Sequence, residues 1–156
     1  MNAGTLLLTV SLFAAWPTAV WADDDEHQCS VATLQGSFGV TFTGTANTPG
    51  GPSQRGGIAR VVFDGRGNLV GKATSVADGA VFRRTFAGTY TVAPDCTGSI
   101  SQTFTDALDG HATFDLVIDD DGREFRSVAT PPLGAANPAT LTTIGRKQFS
   151  RRRDDQ

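Results

Sequence analysis

The chain has 156 residues, 18 of them glycine, a formal charge of −3 and aromatics that are mostly phenylalanine. That length suits one ordinary domain and not two. Scarce Leu, Lys and Glu disfavour a helical protein, and the slightly negative charge argues against nucleic acid held mainly through its phosphates.

Residues 6–22 are uncharged and mostly apolar, end in Val20-Trp21-Ala22, and are followed at once by Asp23-Asp24-Asp25-Glu26. This reads as a signal peptide over residues 1–22, cleaved after Ala22, although no Lys or Arg precedes its apolar core. The alternative is a retained membrane anchor. Against it, the apolar run is about 17 residues long, at the lower limit for spanning, and Trp16-Pro17 interrupts it. No later stretch is apolar enough to cross a bilayer, so cleavage would leave a protein without a transmembrane segment, secreted or periplasmic. Residues 23–28 form a flexible acidic start. The two cysteines, Cys29 and Cys96, both follow the cleavage point. In an oxidising compartment they read as one disulfide closing a loop of about 68 residues; two free thiols are the alternative.

Residues 30–36 suit a single helical turn, with Ser30 capping its start and Gly36 ending it. Period-2 alternation then takes over. Residues 36–44 read as the first strand, and 45–56, rich in Gly and Pro with no apolar anchor, as a long flexible loop. Strands follow over 57–64 and 68–77, joined by the hairpin turn Asp64-Gly65-Arg66-Gly67. After Asp78-Gly79 a long strand covers 81–92, with Phe82, Phe86, Tyr90 and Val92 on one face. Pro94-Asp95-Cys96-Thr97-Gly98 is a tight turn. Strands over 98–105, 112–119, 123–130 and 141–149 complete the domain, 29–150, before a charged tail at 151–156. Residues 131–138 form a further Pro/Gly/Ala loop.

About eight strands with mostly short connections point to an all-β, antiparallel up-and-down meander, which can close into a barrel and so abolish its edges. A two-sheet sandwich is the competing architecture.

Three segments carry a more specific signal. They are Leu34-Gln35-Gly36-Ser37-Phe38-Gly39-Val40-Thr41-Phe42 after Cys29, Gly57-Ile58-Ala59-Arg60-Val61-Val62-Phe63-Asp64-Gly65-Arg66-Gly67-Asn68-Leu69, and Gly88-Thr89-Tyr90-Thr91-Val92-Ala93-Pro94-Asp95-Cys96-Thr97-Gly98. Together they resemble a family of small secreted bacterial proteins of unassigned function, over most of residues 29–130. In outline the pattern is similar to calycin-like barrels, including the allene oxide cyclase-like and lipocalin-like groups. The resemblance implies a secreted, Cys-bridged barrel and no catalytic residues. Phe38 stands where true lipocalins carry Trp, and no C-terminal helix is evident.

Few residues suggest chemistry. Asp119-Asp120-Asp121-Gly122 has the look of a calcium loop but lacks its closing Glu, Thr130 standing there, and Asp-Gly is ordinary turn chemistry. Asp95 is a site carboxylate or, more simply, the residue that holds the turn before Cys96. His111 is a general base only if an acid or nucleophile lies in reach; otherwise it is a solvated turn residue, and His27 lies in the acidic start. Arg146-Lys147 and Arg151-Arg152-Arg153 could touch anionic surfaces, or be solvated and balanced by Asp154 and Asp155. No metal or cofactor site is read.

Arg84 shares parity with Phe82, Phe86 and Tyr90, so it enters the barrel if they do; a bulge or outward snorkelling is the plain alternative. Phe38, Phe42, Phe82, Arg84, Phe86, Tyr90 and Phe114 are the candidate lining of a ligand-holding lumen, with Phe63 and Phe104 in the same class. The leading functional reading is a binding module for a small apolar or amphipathic ligand. A structural or interaction protein with a filled barrel is the second, and a cyclase- or isomerase-like enzyme the third; no acid–base pair supports the last. The oligomeric state is not legible.

Overall fold

The computed structural model describes residues 28–105, 110–131 and 138–148. The expected signal peptide, most of the acidic start, the centre of the 131–138 loop and the charged tail lie outside these residues. A short 3-10 turn, Val31–Leu34, precedes eight strands: β1 Gly36–Thr48, β2 Gly51–Phe63, β3 Asn68–Ala77, β4 Ala80–Val92, β5 Thr97–Phe104, β6 Gly110–Asp119, β7 Glu124–Ala129 and β8 Ala139–Lys147. Each strand pairs antiparallel with the next, and β8 returns to pair with β1, so the sheet is a closed up-and-down barrel and not a sandwich.

The hairpins form where turn residues satisfy the backbone locally. The Asp64 carboxylate accepts from the backbone N–H of Arg66 and Asn68 and from the Asn68 side chain, at 2.7–2.9 Å, while Gly65 and Gly67 supply φ of 74° and 98°. Asp95 accepts from both the N–H and the hydroxyl of Thr97. Asp120 and Asp121 turn β6 into β7 with φ near 50°.

The expected loop over 45–56 is instead the far half of a hairpin. β1 runs to Thr48 and β2 starts at Gly51, with Thr45 opposite Gln54 and Ala46 opposite Ser53. Pairing prevails over the Gly/Pro composition because β8 lies on the other side of β1, with Thr45 opposite Thr140 and Ala46 opposite Ala139. The extension is therefore supported from both edges, and Ala46 and Ser53 are buried in the wall. Gly44 permits the close approach of β8, since a Cβ there would stand 1.9 Å from the Thr140 carbonyl.

Alternation sends one side of every strand inward. At the end where β1 begins, that side is aromatic. Phe38, Phe63, Tyr90 and Phe125 meet edge-on or tilted, with ring centroids 4.9–5.7 Å apart, and Leu34 of the 3-10 turn is fully buried against the same core. Several of the large inward rings lie over a glycine on the neighbouring strand: Phe125 over Gly145, Phe86 over Gly71 and Phe42 over Gly57. The Tyr90 hydroxyl donates to the Val31 carbonyl at 2.8 Å. The Cys29–Cys96 disulfide and a Cys29 N–H to Pro94 carbonyl bond fasten the approach to the turn. This end of the barrel is stoppered.

Candidate functional site

Beyond the aromatic plug the barrel is hollow. A cavity of about 290 Å³ opens at the far end, beside the ends of the β1–β2, β3–β4 and β5–β6 hairpins. Its wall is mostly apolar: Phe42, Phe86, Phe104, Phe114 and Leu141 stand among small residues such as Ala59, Ala73 and Ala112. Eight strands give an interior that bulky side chains would fill; the alanines leave it open.

All seven residues read from the sequence as lumen lining face inward by register, but at three depths. Phe42, Arg84, Phe86 and Phe114 line the cavity. Phe38 and Tyr90 do not: they lie below it, in the plug, where packing against Phe63 and Phe125 buries them almost completely. Phe82 does not line it either. It sits at the rim, 37% exposed, on the part of β4 next to its hairpin with β3 and opposite Ser75. Phe104 belongs to the cavity wall and Phe63 to the plug.

Arg84 does turn inward, and its guanidinium lies 3.8 Å from the centroid of the Phe104 ring, so the aromatic face offsets part of the cost of placing a charge in the wall. Arg55 and Gln102 join it in the lining. Deeper polarity comes from Ser127 on β7 and Thr143 on β8. They are paired across the two strands and more than nine-tenths buried, and their hydroxyls hydrogen-bond to each other.

The sequence reading missed Arg55, Gln102, Ser127 and Thr143 as lining residues. For Ser127 and Thr143 a signal existed: they share parity with Phe125 and with Leu141, the apolar inward residues of their own strands. Arg55 was hidden by the assignment of its segment to a loop.

The remaining polar groups are held for structure. His111 borders the cavity, but register puts its side chain on the outward side of β6 with Ser101 and Thr103, whose hydroxyls lie 3.4 Å from its ring nitrogens, and no carboxylate is among these partners. Glu124 binds Arg146 at 2.8 Å and Arg126 at 3.2 Å, and these guanidinium contacts, Arg146 first, hold its carboxyl below the usual range. Hydrogen bonds from Asn68 and Thr97 likewise lower Asp64 and Asp95. Burial raises the Tyr90 hydroxyl and keeps it a donor to Val31. Among the described residues no three His, Cys, Asp or Glu side chains converge as a metal site. No described helix is long and apolar enough to cross a membrane.

No protein-family profile matches the chain, and no curated protein matches it. Solved structures do. A redesigned β-barrel, mFAP0, bound to DFHBI, aligns over 74% of this chain and 99% of its own at 18% identity, with a TM-score of 0.50. The barrel EF1p2_mFAP2b, also bound to DFHBI, aligns over 74% of this chain and 94% of its own at 21% identity, with a TM-score of 0.52. At these identities the likeness is one of fold: the chain is an eight-stranded antiparallel barrel similar to two ligand-holding ones.

Proposed function

We propose that this protein binds one small apolar or amphipathic molecule inside the barrel, entering at the end away from the disulfide. The observation that carries the reading is the cavity of about 290 Å³, plugged below and open above, at the lower edge of the size range of ligand pockets. Two barrels of the same fold bound to DFHBI support it, as a likeness of architecture. Only the stoppered half of the interior is solid, which weighs against a purely structural barrel. Calycin-like kinship, a leader cleaved after Ala22 and a secreted or periplasmic setting complete the reading; the disulfide fits such a compartment.

The test is a fluorescence titration of the purified full chain with aminoanthracene, a compact apolar fluorophore. A ligand efficiency of about 0.3 kcal/mol per atom gives such a probe a Kd of hundreds of micromolar, and better packing lowers it. Ala73→Phe, which pushes a ring into the cavity from β3, is expected to abolish binding while the circular dichroism stays that of the parent. No enhancement with the parent chain, or equal enhancement with Ala73→Phe, overturns the proposal.

A further inference from the structure

The Ser127–Thr143 pair is an odd feature in an apolar wall. Each hydroxyl carries one proton and can accept as well. Within the pair one hydroxyl donates and the other accepts, which uses one of the two protons. Among the described residues no side-chain hydrogen bond other than the one within the pair engages either hydroxyl. Both side chains are more than nine-tenths buried, and both line the cavity. Their surroundings on that wall are Phe42, across from Thr143 on β1, with Phe125, Phe114 and Leu141. A buried donor without an acceptor costs free energy that two isosteric apolar residues would not.

We infer that Ser127 and Thr143 form a subsite that donates one hydrogen bond to a neutral carbonyl oxygen of the bound molecule. This deepens the lumen-binding reading and rests on it. The chemistry selects the class. A purely apolar ligand leaves the proton unmatched. A carboxylate at this depth would bury a full charge against two neutral hydroxyls, a far larger cost than they offset. An aldehyde, ketone, ester or lactone carbonyl takes the proton and brings no charge. The occupant is therefore an apolar body with one carbonyl directed at β7–β8 and its other end toward Arg84 and Gln102.

The experiment compares two fluorophores on the full chain. Prodan is a dimethylaminonaphthalene ketone whose emission moves to the red when its carbonyl accepts a hydrogen bond. Plain dimethylaminonaphthalene is the same body without the acceptor. The variant is Ser127→Ala/Thr143→Val, which removes both hydroxyls at nearly constant shape, so the fold should persist. Prodan is expected to bind the variant about 3- to 10-fold more weakly than the parent, with a blue-shifted bound emission. The acceptor-free probe is expected to bind both proteins within about twofold. If both probes bind and the variant leaves Prodan's affinity and emission unchanged, the subsite is wrong while lumen binding stands. If neither probe binds the parent chain, lumen binding fails, and the subsite with it.

Discussion

Replacing both Cys29 and Cys96 by alanine should cost this barrel about 4 kcal/mol. The two residues lie 67 positions apart, and the chain-entropy relation for a loop of that length gives roughly that value at room temperature. This is a large share of the 5–15 kcal/mol that holds a typical domain together. The link also fastens the segment whose Leu34 and Val31 meet the plug, so its loss loosens the stopper as well as the unfolded chain. The assay is urea unfolding, followed by circular dichroism. With a slope of about 2 kcal/mol per molar, the midpoint should fall by about 2 M. Leu34→Ala, made in both backgrounds, separates the two effects. It should cost about 2–5 kcal/mol with the disulfide present and clearly less without it, because a loosened turn has less packing to lose. A midpoint drop below about 0.5 M at unchanged slope, or an equal Leu34→Ala cost in both backgrounds, would refute the view that the disulfide holds the stopper in place.

Asp64, Asp95 and Glu124 all have carboxyls lowered in the fold by hydrogen bonds or guanidinium partners, so their stabilising contribution is complete above the ordinary carboxylate range and lost as pH falls through and below it. The urea midpoint should be flat from neutral pH to about 5 and decline below about 4; a decline starting near pH 6, or none by pH 3, contradicts this. Tyr90→Phe leaves the Val31 carbonyl without its 2.8 Å donor and should cost about 1–3 kcal/mol in the same assay, with a negligible change counting against the bond. Phe38→Ala opens the plug and should cost about 3–5 kcal/mol, whereas Phe42→Ala, whose ring already borders open space, should cost less than half as much. Equal losses at the two positions would mean that the cavity wall is as tightly packed as the plug.

The strands from 57 onward were legible because apolar alternation is bounded by turns with a clear mechanism, such as Asp64 to Asn68. Closure into a barrel followed from short connections alone. The 45–56 extension was not legible: its inward residues include Ala46, Ser53 and Arg55, and none carries the apolar mark of a strand. What fixes it is pairing to β8, a segment almost a hundred residues away in sequence. For the site, parity sorts side chains by the face of the sheet they share. Parity repeats every two residues at any height, so it cannot say how far along the axis a residue sits. That is why Phe38 and Tyr90, which fill the plug, were grouped with Phe42 and Phe114, which line the cavity.

The hollow half was written in the residues that carry least sequence signal. Along β2 and β3, the inward positions toward the open end are, apart from Arg55 near the hairpin, the small Gly57, Ala59, Ala73, Ser75 and Ala77, while those toward the stopper are Val61, Phe63 and Leu69. The same gradient runs down β6, from Gly110 and Ala112 at the open end through Phe114 to Leu116 and Ile118. An eight-stranded barrel has one width along its length, so a change from large to small inward residues is a change from filled to empty. Glycine and alanine are easily credited to turns and to strand spacing. In this chain, many of them define the volume of the cavity. The large residues at the other end, with the disulfide, concentrate stabilising contacts where no ligand need enter. That separation lets a wall lined by Ala59, Ala73 and Ala112 stay open without the barrel losing its core.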